Sequence, residues 1–129
     1  MKEQEFRALG RPMNAPSKEL DTFPTPEHVT LVRFTSDELS AFCPVTHQPD
    51  FYKLDLEYVP NERCIESKSL KLYLWSFREE QCFGEALAST IAKDIVAAID
   101  PHSVKVTLTQ NIRGGLQLTA VAELHRKSA

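Results

Sequence analysis

Ten residues, Phe42 to Phe51, read FCPVTHQPDF and place a thiol (Cys43), an imidazole (His47) and a carboxylate (Asp50) on one short polar segment. A thiol near a carboxylate suits covalent chemistry in which sulfur attacks an electrophile and the acid moves a proton. Pro44 follows the thiol and Pro49 precedes the acid. Proline fixes φ and withholds an amide hydrogen, so the segment is a poor helix or strand interior and a good rigid loop. Reactive groups are often held on loops fixed by a scaffold. An unactivated thiol is mostly protonated at neutral pH, so the scaffold must raise its thiolate fraction through positive charge or a base.

That scaffold is small. At 129 residues the chain is expected to form one domain with a single core. Hydrophobic residues make up 42% and charged residues 26%, the balance of a soluble globular protein. The net charge of −3 argues against broad nucleic-acid binding through phosphate neutralisation. No run is apolar enough to span a bilayer, and the start MKEQEFRALG lacks the apolar stretch of a signal peptide. Three cysteines at unrelated spacings do not make a disulfide framework. A reducing cytoplasm is the expected setting, and it keeps a nucleophilic thiol available.

The elements that must position the reactive segment can be read from periodicity. Residues 1–28 are polar, carry Pro12, Pro16, Pro24 and Pro26, and read as an extended arm, packed on a neighbour or partly disordered. A single domain is expected over 29–124 and a frayed tail over 125–129. Val29 to Phe34 reads as a strand. Thr35 followed by Glu38 is a capping-box pattern and predicts a short helical turn through Phe42, before the Cys43 loop. From Phe51 to Val59 the chain alternates, with Tyr52, Leu54, Leu56 and Tyr58 on one face. A helix is predicted from about Glu66 to Phe77, with Leu70, Leu74 and Phe77 on one side. A second is predicted over 85–99 on the stripe Leu87, Ala88, Ile91, Ile95 and Ile99, ending before Pro101. Two strands follow, at 104–110 and 116–122, with Arg113-Gly114-Gly115 forming the turn or bulge between them. The result is an α+β layout, a four-stranded antiparallel sheet with two helices on one face. Its bare edges invite pairing with other copies, and a ring of subunits closing a larger barrel would cover them. Sites between subunits would then be expected, since one small domain offers little concavity of its own.

FCPVTHQPDF and ESKSLKLYLWSF (residues 66–77), with LDTFP at 20–24, resemble the NADPH-dependent 7-cyano-7-deazaguanine reductase family, the nitrile reductases of queuosine (tRNA modification) biosynthesis, in its short single-module form. The resemblance runs from about Leu9 to about Leu118. It implies the tunnelling fold, assembled into β-barrel rings, and NADPH as cofactor. It implies that Cys43 is the nucleophile that forms a covalent thioimide with the substrate nitrile, and that Asp50 is the proton donor. Ile65, Glu66 and Ser67 match positions that line the deazaguanine pocket, together with Gly84 and Glu85, the latter the acid that anchors the base. Ser67, Lys68, Lys71, Arg113 and Gly114 match the region contacted by the cofactor. One position departs: the family usually has His-Glu where this chain has Gly84-Glu85, and the missing imidazole is one thought to help with proton handling. His47, where many relatives have Gly, is the expected accessory residue that supplies an imidazole from the other side of the pocket.

The residue types fit these implied roles. Lys68 and Lys71, three apart on a helix, can meet phosphates, although such charges usually form a solvated face. Glycine after Arg113 lets backbone approach a phosphate closely. A carboxylate such as Glu85 can accept two N–H bonds from a guanine-like edge, or serve only as a first-turn acid favoured by the helix dipole. Cys43 and His47 lack the further ligands a zinc site needs, so no metal is expected. Cys64 and Cys82 read as small buried hydrophobes. Two other functions stay open: a relative that forms the same thioimide but delivers ammonia to a deazaguanine in nucleic acid, and a non-catalytic ring that binds a purine-like ligand. The favoured reading is a homo-oligomeric cytoplasmic enzyme acting on a small molecule, with no membrane or direct nucleic-acid partner.

Overall fold

The computed structural model describes residues 6–10 and 15–127. The parts of the predicted arm and tail at 1–5, 11–14 and 128–129, Pro12 included, lie outside the described residues. Eight elements follow in order: β1 (Thr22–Pro24), β2 (Val32–Phe42), β3 (Pro49–Val59), β4 (Arg63–Ile65), α1 (Ser67–Trp75), α2 (Gly84–Ile99), β5 (Ser103–Gln110) and β6 (Thr119–His125). The main sheet is antiparallel in the order β2-β3-β5-β6, and β1 pairs with β4 in a separate two-stranded sheet. Among the described residues no helix is long and apolar enough to cross a membrane.

The alternation in β3 does what its period demands. Tyr52, Leu54, Leu56 and Tyr58 are buried, facing the same core as Val104, Val106 and Leu108 of β5. The predicted stripe of α2 closes that core: Leu87, Ala88, Ile91, Ile95 and Ile99 are all buried. Each large side chain so buried contributes about 1.5–3 kcal/mol, so this face and not helix propensity holds α2 in place. The helix ends on Asp100 in the left-handed conformation, just before Pro101. This is the expected α+β layout, with two helices on one face of a four-stranded antiparallel sheet.

Four local expectations are corrected. Thr35 to Phe42 forms no helical turn but continues β2, with a bulge between Ser36 and Leu39 in its pairing to β3. Ser36 does use its hydroxyl locally, accepting the Glu38 amide at 3.2 Å, but in a bulge and not a helix cap. Eleven residues of partner strand outweigh one capping signal. The last strand begins at Thr119, not 116, because the Gly114-Gly115 turn draws Arg113 and Leu116 into reciprocal backbone bonds of 2.9 and 3.0 Å. That strand also reaches His125, where fraying was expected. Finally, the predicted arm contributes β1, and its described part packs on its own domain. Asp21 Oδ2 accepts the Arg7 and Ala8 amides at 2.8 and 3.0 Å, and Ser17 N–H donates to Leu72 O at 3.2 Å.

Candidate active site

Cys43 begins the connection between β2 and β3. Its N–H donates to Gln48 O at 2.8 Å, and its own carbonyl accepts the His47 amide at 2.9 Å. Closing this turn holds His47 at φ 60°, a left-handed conformation that costs a non-glycine residue on the order of 1 kcal/mol. The base of the turn is pinned, since Phe42 N–H donates to Glu80 O at 2.8 Å and Cys82 N–H donates to Phe42 O at 3.1 Å. The turn wraps donors around the sulfur. The Thr46 amide, then its hydroxyl, then the Val45 amide lower the Cys43 pKa from 9.0 to about 7. Partial burial opposes them, and the Arg113 charge adds the smallest lowering. Thiolate at neutral pH thus arises chiefly from hydrogen-bond donors of the turn. The sequence pointed to a cation or a base instead. His47 stabilises the turn through its backbone while its ring is exposed.

Asp50 is not on the loop. It is the second residue of β3, pairs with Ala41 across the ladder and is only 5% exposed. Its Oδ1 forms an ion pair with Arg113 Nη1. Near it, the Tyr52 hydroxyl is buried without a hydrogen-bond partner among the described residues. Such an orphan costs about 1–3 kcal/mol, and native structures rarely leave one without a reason. Arg113 reaches Asp50 because Gly114 and Gly115, at φ 58° and 80°, turn the β5–β6 connection back on itself.

Gly84 opens α2 directly above Tyr52. A Cβ there would lie 3.0 Å from Leu118 Cδ2, 3.1 Å from Tyr52 Cε1 and 3.4 Å from Tyr52 Oη. Burial pushes the Tyr52 phenol from 10.0 up to about 12, and the charges of Cys82, Glu85 and Cys43 push the same way. Glu85 itself is exposed in the first turn of α2, whose N-terminus has no side-chain cap. Burial, and the charge of Glu80 after it, raise the Cys82 thiol, so of the two thiols near Tyr52 only Cys43 is activated.

The remaining predicted residues lie elsewhere. Ile65 N–H donates to the Tyr58 hydroxyl at 2.9 Å, eight residues along β3 from Asp50, or roughly 25 Å at strand rise. Glu66 is buried and caps α1, its two oxygens accepting the Lys68 and Ser69 amides at 2.7 and 2.8 Å. Ser67 lines two grooves, one of ≈ 490 Å³ shared with Ile65, Glu66, Phe23 and Val32, the other of ≈ 800 Å³ between α1 and β2. The larger also carries Lys71, Trp75 and Arg78. Lys68 and Lys71 do not act as an exposed pair, because Lys68 Nζ donates to Ala8 O at 2.9 Å. Within one chain, then, Cys43, Asp50, Gly84, Glu85 and Arg113 with Gly114 come together, while Ile65, Glu66, Ser67 and Lys68 stand apart from them. Sequence reasoning missed Thr46 and Tyr52. Thr46 sits inside the quoted motif, but its role needs the turn; Tyr52 was read as core because its alternation is that of a core residue.

Fold and site together define a tunnelling-fold protein with an activated thiol beside a buried acid–arginine pair. A family model described as QueF-like protein matches residues 49–129. The chain is 49% identical over 114 residues to an NADPH-dependent 7-cyano-7-deazaguanine reductase of Alkalilimnicola ehrlichii, covering 87% of this chain and 88% of that protein. It is 48% identical over 112 residues to a reductase of the same name from Halorhodospira halophila, covering 85% and 95%. The crystal structure of an archaeosine synthase QueF-Like in its apo form superposes with a TM-score of 0.71 at 27% identity, covering 75% of this chain and 95% of that one. The chain belongs to the QueF-like family of NADPH-dependent 7-cyano-7-deazaguanine reductases.

Proposed function

We propose that this chain is an NADPH-dependent oxidoreductase that converts 7-cyano-7-deazaguanine to 7-aminomethyl-7-deazaguanine with two NADPH, in the cytoplasm, as a step of queuosine synthesis. The observation that carries the reading is a thiol poised near neutral pH by Thr46 and Val45, next to the Asp50–Arg113 pair. Cys43 sulfur bonds the nitrile carbon, one carbon–nitrogen π bond opens, and its electron pair moves to nitrogen, leaving a thioimide. The proton lost by the thiol ends on that nitrogen. Asp50 is the group to carry it, a buried carboxyl at the head of β3 beside the Arg113 guanidinium. NADPH, when bound, supplies hydride to the carbon–nitrogen double bond that sulfur addition creates. Exposed Phe51, Phe83, Ile112 and Leu116 surround this end of the molecule and would exclude water once covered.

The groove between α1 and β2 is the place for the cofactor: Lys71 and Arg78 on its α1 side would meet phosphates and half-exposed Trp75 a ring face, with Asp37 and Glu38 on the β2 side turned to the cofactor's uncharged parts. The substrate's base would sit near Ile65, Glu66 and Ser67, with Glu85 as its anchor. A single chain keeps Ile65, Glu66 and Ser67 apart from Cys43 and Glu85, which supports a homo-oligomer in which one copy supplies Cys43, Asp50 and Glu85 and its neighbour the far-end residues. Strands β2 and β6 are the sheet edges through which rings would close. In that assembly Arg113 and Gly114 would reach a neighbour's cofactor.

Intact-mass measurement of the full chain mixed with the nitrile and no cofactor tests the covalent step. An adduct equal to the nitrile's mass is expected, and none with Cys43→Ala. Adding NADPH should then consume two per product. The similarity to an archaeosine synthase favours a second reading, and with ammonia supplied in place of NADPH, its addition to the thioimide to give an amidine and the free Cys43 thiol would select it. Full activity in Cys43→Ala would defeat both.

A further inference from the structure

The chain has three tyrosines. Two are conventional core tyrosines: Tyr58 accepts the Ile65 amide at 2.9 Å, and Tyr73 donates to Asp94 Oδ2 at 2.6 Å. Tyr52 differs. It is 2% exposed, yet its hydroxyl has no hydrogen-bond partner among the described residues. The thiol–acid chemistry gives this hydroxyl no task. A second observation concerns its neighbour. Position 84 carries no side chain at the point where a Cβ would press on the Tyr52 ring and approach its oxygen. Glycine at 84 therefore lets the start of α2 pack directly on the phenol, beside Leu118. Tyr52 stands two residues after Asp50 on the same buried face of β3, so its ring belongs to the acid's end of the molecule, where the charges of Cys82, Glu85 and the nucleophile Cys43 also act on it.

We propose that Tyr52 is a further catalytic residue, whose hydroxyl donates a hydrogen bond to the nitrogen of the substrate after Cys43 has bonded its carbon, beside the first turn of α2. The inference rests on the thioimide chemistry proposed above. No proton is transferred in this step: Tyr52 holds its hydrogen throughout the neutral range, and Asp50 remains the carrier. A neutral donor that costs no reorganisation is what a nitrogen gaining electron density requires. The arrangement also explains why an unpaired buried hydroxyl is tolerated, since the substrate is its partner.

Tyr52→Phe tests this, because it removes the hydroxyl and keeps the ring. In the full-length chain, kcat for NADPH-dependent turnover should fall about tenfold or more, with KM for the nitrile little changed. The thermal unfolding midpoint should stay level or rise, because no native hydrogen bond is lost. A structural role would do the reverse, and a lowered midpoint with unchanged kcat would overturn the proposal; so would wild-type kcat at any midpoint. A wild-type protein that forms no nitrile adduct and consumes no NADPH would remove the enzymatic reading itself, an outcome distinct from each of these.

Discussion

Asp50 and Glu66 are buried to the same extent, each 5% exposed, and could hardly be held more differently. Glu66 has both oxygens occupied by the first amides of the helix it caps. Asp50 is held by a charge instead, its Oδ1 meeting the guanidinium of the half-exposed Arg113. The same contrast repeats among the tyrosines, with Tyr58 and Tyr73 bonded and Tyr52 not. Burial alone does not separate structural from chemical roles. The kind of partner does: Glu66 is held by helix amides and Asp50 by a side-chain charge, while Tyr52 is the one tyrosine whose hydroxyl has no partner among the described residues.

The strongest way to break this contrast is to neutralise the two carboxylates in turn. Asp50→Asn should cut turnover on the order of 10²-fold or more, as loss of a general acid does, with little change in unfolding midpoint. A drop of several degrees instead would make Asp50 a structural carboxylate like Glu66. Glu66→Ala should lose stability by about 0.5–2 kcal/mol, read by denaturant unfolding, because α1 loses its cap. The Cys43 adduct should still form at saturating nitrile, and its loss would contradict the division of roles. The smallest expected effect sharpens the account of the thiol. A thiolate reacts and a thiol does not, so alkylation of Cys43 should rise with pH through about 7, where an ordinary thiol would rise near 9.0. Thr46→Val removes one donor and should move that rise to higher pH. An unmoved midpoint, followed by the rate of alkylation with a small haloacetamide, would shift the credit to the amides alone.

Much of this was legible in the chain. Alternation in 51–59 and the stripe Leu87, Ala88, Ile91, Ile95 and Ile99 located the core faces, because side-chain period is a local property of strands and helices. That Cys43 and Asp50 lie at the two ends of one short connection was legible from spacing, and the pairing of β2 with β3 keeps those ends together. The bulge between Ser36 and Leu39 was not, since a capping pattern and a bulge use the same hydroxyl–amide bond and only a partner strand decides between them. Nor was the place of Arg113, whose position near two glycines suggested phosphate and whose guanidinium lies on Asp50. The short strands β1 and β4 were missed because three-residue pairings carry no period to read.

By itself the sequence determined which faces are apolar, where the helices run, and that a thiol and an acid share one segment. Only the tertiary structure decided that Thr46 and Val45 would activate the sulfur, that Asp50 would be buried against Arg113, and that the Tyr52 hydroxyl would be left unpaired beneath Gly84. The reason is physical: periodicity is written along the chain, but whether a polar atom is satisfied depends on what folding brings to it from elsewhere.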